Sequence, residues 1–205
     1  MIKNIIFDLG NVIINYNQKK IINNFTEKEE EIKYIYDEIF HAPEWTLMDL
    51  GDITNEEAIK IINKRNEFKY GKLTQEFLHE WYKKQPINRD IVEIAKILKN
   101  NGYNLFVLSN MANQTYEYFK NDEFFLLCTG IVISAQEHVK KPDEKVYRLL
   151  LDRYNLSAEE CLFIDDDDSG ENYETANRIG IKGRRIMPNQ VEDVKKLLLE
   201  FNVKI

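Results

Sequence analysis

The chain has 205 residues, 43% hydrophobic and 31% charged with only 8 Gly and 4 Pro, which excludes disordered, fibrous and low-complexity classes and allows one sizeable core plus an inserted subdomain. A formal net charge of -7 repels polyanions and argues against nucleic acid as the main partner. The apolar start is interrupted by Asp8 with no small-residue cleavage site after it, and no segment reaches the length of a membrane span, so a cytoplasmic protein without membrane contact is expected.

The first apolar run, Ile5 to Asp8, reads as a buried parallel strand because it is continuous and not alternating. From about Tyr16 to Gln85 strand signals stop. Helical patterns follow one another there: "EKEEEIKYIYDEIF", then "TNEEAIKIINKRN" with Thr54 and Glu57 spaced as a capping box, then "TQEFLHEWYKK". The expected organisation is therefore a core made of residues 1-15 and 86-205, interrupted after strand one by a helical subdomain, 16-85. Its aromatics Tyr36, Phe40, Trp81 and Tyr82 have helical spacing and read mostly as core. In "WTLMDLGDITNEEA", Trp45, Met48, Asp49 and Asp52 either face a ligand or, for the apolar pair, glue helices together.

After residue 86, helix and strand alternate. "RDIVEIAKILKNNG" carries Ile91, Ile94, Ala95 and Leu98 on one face and stops at Gly102. Strands are expected at Leu105 to Asn110, Ile131 to Ser134 and Cys161 to Asp165, with a helix opening at Pro142 and a last one at "QVEDVKKLLLEF". Such alternation implies an α/β fold with an open, mostly parallel sheet and helices on both faces. Cys128 and Cys161 lie in apolar surroundings without a CxxC pattern and read as reduced core thiols.

In such a sheet, ligands bind beyond the carboxyl ends of the strands, near the point where strand order reverses. Asp8 stands at the first of these ends, Ser109 and Asn110 at the second, and Asp165 to Asp168 at the fourth; Lys140 and Lys141 precede the helix at Pro142. Each residue alone has a plain reading as a turn cap or a solvated charge. Together they supply the carboxylates, hydroxyl and cation that handle a phosphate with a divalent metal.

The order Asp8-Leu9-Gly10-Asn11-Val12, then Ser109 after an apolar strand, then Lys141-Pro142, then "FIDD" at Phe163 to Asp166 resembles the four motifs of the haloacid dehalogenase (HAD) superfamily. The resemblance covers nearly the whole chain. "FDLGNV" is closest to a branch of small HAD phosphatases acting on sugar phosphates, similar to the phosphatase domain of soluble epoxide hydrolase. The family implies a Rossmannoid three-layer α/β/α core with the helical insert as a cap. It also implies a phosphatase for small phosphorylated metabolites, sugar phosphates first, as a monomer or weak homodimer. Asp8 would be the nucleophile that forms an aspartyl-phosphate. Ser109 and the Asn110 amide would bind the phosphoryl oxygens, and Lys141 would neutralise the charge between nucleophile and phosphate. Mg²⁺ would bind Asp8, the Gly10 carbonyl and an aspartate of the fourth motif.

Two departures stand out. Family phosphatases carry a second aspartate two residues after the nucleophile as general acid and base, and Gly10 occupies that place; Asp49, Asp52 or solvent are the substitutes in view. Gly10 therefore also admits a phosphate- and metal-binding regulatory module with negligible turnover. A hydrolytic 2-haloacid dehalogenase using Asp8 is a third reading, though it would have little use for the acidic fourth motif. The second departure is one of register. Asn172 and Gly180 fit the helix side of the fourth motif, yet Asp165 and Asp166 then lie two residues early. A loop insertion is preferred, since a longer strand would bury Asp165 without evident partners. On that register Asp166 is the metal ligand, Asp165 and Asn172 support it, and Asp167 and Asp168 are loop residues or helix caps.

Overall fold

The computed structural model describes residues 1-205. A five-stranded, all-parallel sheet in the order β3-β2-β1-β4-β5 organises the chain. Its strands are β1 (Asn4–Phe7), β2 (Asn104–Ser109), β3 (Gly130–Ile133), β4 (Cys161–Asp165) and β5 (Lys182–Arg185). The first four match the apolar runs of the sequence to within one residue. Strand β5, "KGRR", has no apolar signature: it is an edge strand with only one neighbour. Gly183 lets it lie close to the adjoining helix, since a Cβ there would meet the Tyr173 carbonyl oxygen at 2.4 Å.

Successive strand residues point to opposite faces. Ile5, Phe7, Leu105 and Val107 enter one hydrophobic cluster, and Ile6, Phe106, Leu108 and Phe163 the other. The sheet is thus covered on both sides, which explains why β1, β2 and β4 read as unbroken apolar runs.

Between β1 and β2 the chain is helical: α1 (Gln18–Asn23), α2 (Glu29–Ile35) running into a π-helical turn at Tyr36–Phe40, α3 (Pro43–Asp49), α4 (Asn55–Arg65), α5 (Gly71–Glu80) with a 3-10 turn at Trp81–Lys84, and α6 (Arg89–Asn100). The capping box forms as read, with Thr54 Oγ1 accepting from the Glu57 amide at 3.2 Å and Glu57 returning to the Thr54 amide at 2.8 Å. Helix α5 begins three residues earlier than its apolar pattern, at Gly71.

The remaining helices are α7 (Asn113–Phe119), α8 (Glu123–Leu127), α9 (Ser134–Glu137), α10 (Glu144–Arg153), α11 (Glu171–Arg178) and α12 (Val191–Glu200). Residues of α6, α8 and α12 join the first cluster, with much of the helical insert, and those of α10 and α11 join the second. The result is three layers, α/β/α. Pro142 does not open α10. Asp143 is the N-cap, its carboxylate accepting from the Lys145 amide at 2.9 Å, and Pro142 stands before it in a cis peptide bond with Lys141.

No helix is long and apolar enough to cross a membrane.

Candidate active site

The chain runs from β1 outwards through β2 to β3, then crosses back to β4 beside β1. This reversal opens the crevice in which parallel sheets hold ligands. A cavity of about 640 Å³ lies there, lined by Asp8, Gly10, Ser109, Asn110, Lys141, the four aspartates and Asn172 from the core side. Such a volume suits a small metabolite.

Asp8 follows the last residue of β1 and is held by its amide, which donates to the Ile164 carbonyl at 2.9 Å. Its carboxylate lies 2.8 Å from Lys141 Nζ, and the same ammonium lies 2.6 Å from Asp165. Lys141 is almost wholly buried, as is Asp165. Asn110 clamps the lysine in place: its amide group donates to the Lys141 carbonyl at 2.9 Å and accepts from the Lys141 amide at 2.8 Å. Burial opposes the lysine's charge, yet Asp165 and Asp8 together hold its pKa above the ordinary value.

Asp165 ends β4 inside the protein. The expected cost of burying it without partners does not arise, because Lys141 Nζ, Asn172 Nδ2 at 3.2 Å and the Asp167 amide at 2.8 Å all donate to it. The loop then turns outward. Asp166 directs its carboxylate toward Asp8, and carboxylate oxygens of Asp8, Asp165 and Asp166 lie within 4.8 Å of one another. Asp167 instead accepts from the Asn172 amide in the first turn of α11 at 3.1 Å and from the Ser169 hydroxyl at 2.8 Å, while Gly170 is the N-cap of that helix. Burial opposes its charge, but these donors outweigh it and lower its pKa. Asp168 is exposed on the loop and outside the carboxylate cluster.

Three carboxylates share one ammonium, leaving the cluster with a net charge of about -2 when all are ionised. Burial first, and with it the two neighbouring acids, push Asp8 up to about 7 despite Lys141. Asp166 is raised as well, by burial first, with Asn11 easing it. A hard divalent cation fits this donor set in both charge and atom type.

Asn11 is the positioning residue that reading by strand ends did not single out. Its Nδ2 donates to Asp166 at 2.9 Å, while its Oδ1 accepts from the Tyr16 amide and from Asn189 Nδ2, each at 3.0 Å. Its φ of +52° is a left-handed turn that Asn tolerates better than most residues, and this was the available signal. Arg185 at the end of β5 also lines the cavity; nothing in "KGRR" marks it as part of a site.

The helical insert supplies the facing wall, with Tyr16, Trp45, Asp49 and Trp81. Trp81 bridges Tyr16 (ring centroids 5.9 Å apart) and Trp45 (5.2 Å), so Trp45 both faces the cavity and glues the insert. Met48 is buried in the core, and Asp52 is exposed beside His138 at 3.4 Å. Neither lines the cavity. Burial pushes the thiols of Cys128 and Cys161 up to about 12 and about 11, far from a nucleophile's range.

A model of haloacid dehalogenase-like hydrolases matches residues 2–172. Sesquiterpene phosphatase astK of Aspergillus oryzae is 22% identical over 179 residues, 87% of this chain and 86% of that protein. A HAD family enzyme from Bacteroides thetaiotaomicron, solved with magnesium and inorganic phosphate, superposes with a TM-score of 0.74 at 20% identity, over 93% of this chain and 96% of that one. L-2-haloacid dehalogenase from Xanthobacter autotrophicus, with chloropropionic acid covalently bound, gives 0.65 at 14% identity, over 100% of this chain and 85% of that one. At such identities the likenesses speak for the fold.

Proposed function

The chain belongs to the haloacid dehalogenase-like hydrolase family, and from that premise we propose that it is a Mg²⁺-dependent phosphatase of small phosphomonoesters, sugar phosphates first, working through an aspartyl-phosphate on Asp8. One observation carries the reading: three carboxylates with a single buried ammonium leave a deficit of positive charge in the lining of a metabolite-sized cavity. A divalent cation and a phosphate together match that deficit and that space.

Residues 16-85 act as a cap over the core formed by 1-15 and 86-205. Mg²⁺ would be held by Asp8, the Gly10 carbonyl and Asp166, where it would screen the approach of a phosphate to the carboxylates. Asp165 and Asn172 hold that arrangement in place. Ser109 and the Asn110 amide bind the phosphoryl oxygens, while Lys141 balances charge between Asp8 and the phosphate. The Asp8 carboxylate attacks phosphorus as the ester bond breaks, and water then cleaves the acyl phosphate. The cap excludes bulk water while this happens.

The phosphatase and the Mg²⁺- and phosphate-bound enzyme among the similar proteins support this reading. The dehalogenase fold likeness keeps a second chemistry in view, but a cluster with two acids beside the nucleophile would repel a haloacid carboxylate. The test is hydrolysis of p-nitrophenyl phosphate and a sugar phosphate panel with Mg²⁺, wild type against Asp8→Asn. Turnover confined to the wild type is expected. If both are equally inactive, the regulatory module that Gly10 admits takes the phosphatase's place; chloride release from 2-haloacids in EDTA would instead revive the dehalogenase.

A further inference from the structure

Resting on the phosphatase reading, one role is left without a residue. Breaking an ester bond to an alkyl oxygen needs a proton for the leaving group, and Gly10 has no side chain to give one. The other acids on the core side are placed otherwise: Asp165 is engaged with Lys141, Asp166 lies in the carboxylate cluster, Asp167 accepts from the Asn172 amide, and Asp168 is exposed on the loop outside the cluster. On the facing wall one carboxyl lines the cavity, that of Asp49.

Asp49 ends α3, and its main chain is tied to the sheet. Its carbonyl accepts from Ser134 Oγ at 2.5 Å, and the same hydroxyl accepts from the Met111 amide at 3.0 Å. Its carboxylate lines the same cavity as Ser109 and Ala112, and the Ala112 amide favours its charged form. Gly51 permits this approach: at its φ of +71° a Cβ would lie 2.1 Å from the Ala135 carbonyl oxygen. The main-chain tie through Ser134 to Met111 therefore sets Asp49 beside the loop that follows the expected phosphate-binding residues. Asp52, the other acid of this turn, points away to solvent and His138.

We propose that Asp49 is the general acid and base of the reaction, acting from the cap in place of the side chain that Gly10 lacks. As Asp8 bonds to phosphorus and the ester P–O bond breaks, the leaving oxygen takes the Asp49 proton. In the second step the Asp49 carboxylate takes a proton from water, whose oxygen bonds to phosphorus as the bond to Asp8 breaks. The sum is ester plus water giving alcohol plus inorganic phosphate, with both carboxyls restored. The environment suits the task. Burial pushes Asp49 up to about 7, against the pull of Lys140 and of the Ala112 amide, near the pH at which one group serves both steps. Tyr16 is the other titratable group at its side, and its phenol is raised far above use by burial.

The test compares Asp49→Asn, Asp49→Glu, Asp52→Asn and Asp8→Asn in the full chain with Mg²⁺, on p-nitrophenyl phosphate and glycerol 2-phosphate. Asp49→Asn is expected to lower kcat/KM on the alkyl ester by about 10²- to 10⁴-fold and to remove the fall in rate above about pH 7. With p-nitrophenyl phosphate, whose leaving group needs no proton, the same variant is expected to release one equivalent in a burst before slow turnover. Asp49→Glu should recover part of the loss, and Asp52→Asn should match wild type. Equal losses on both esters without a burst, in a variant still melting like wild type and still inhibited by inorganic phosphate, would overturn the assignment; so would an unchanged pH profile. Inactivity of the wild type at the level of Asp8→Asn would instead remove the phosphatase reading, and this inference with it.

Discussion

The two walls of the cavity hold their polar groups by different means. On the sheet side, Asp8, Asp165, Lys141, Asn110 and Asn172 bind one another in a closed network inside the protein. The insert wall is mostly aromatic, Tyr16 and Trp45 each packed against Trp81, with one carboxyl anchored through its backbone. The first wall is electrostatically overloaded and preorganised, whereas the second is an apolar scaffold positioning a single acid. Charges buried together fail together, so the first wall should couple stability to the cation and the second should not.

The largest stability effect is expected from Lys141→Met. It leaves the buried Asp165 without its ammonium, and urea unfolding should show a loss of about 3–5 kcal/mol, as for other broken buried pairs. A loss under about 1 kcal/mol, typical of exposed pairs, would mean that the two walls do not differ in this way.

Next in size is the response to Mg²⁺. Asp8 keeps its proton up to about pH 7 in the folded protein but releases it near 3.8 when unfolded, so the folded state binds more protons between those values. Its contribution therefore weakens as pH rises through that window, and Asp49 acts in the same direction. Cation binding offsets the loss at Asp8. The rise in Tm on adding Mg²⁺, measured against EDTA, is expected to be greater at pH 8 than at pH 6. Asp166→Asn should diminish that rise far more than Asp168→Asn; the reverse ranking would move the metal two residues along the loop.

The smallest effect belongs to the insert. Thr54→Ala removes the N-cap of α4 and should cost about 1 kcal/mol by urea unfolding, with the Mg²⁺-induced change in Tm unaltered. A change in that response would show that the walls are energetically one unit.

Much of the fold was legible because its causes are local. Continuous apolar runs marked β1 to β4, and the Thr54–Glu57 spacing marked α4. Strand β5 was not legible: its place depends on Gly183 fitting against α11, a contact that composition does not announce. Pro142 shows the converse, a good first helical residue displaced because Asp143 caps the helix and Asn110 holds the preceding backbone.

By itself the sequence determined a parallel α/β core with a helical insert, and it collected Asp8, Ser109 and the aspartate run at the strand ends, with Lys141 before the helix expected at Pro142. Hydrophobic periodicity and strand-end position suffice for that. Only the tertiary structure decided where each aspartate sits and what it touches. Asp165 is buried against Lys141, 24 residues away; Asp166 is oriented by Asn11, 155 residues away; Asp49 is held through its carbonyl by Ser134, 85 residues away. The four adjacent aspartates are chemically identical as a string. Their differences come from burial and from partners distant in the chain, and electrostatic energy depends on both.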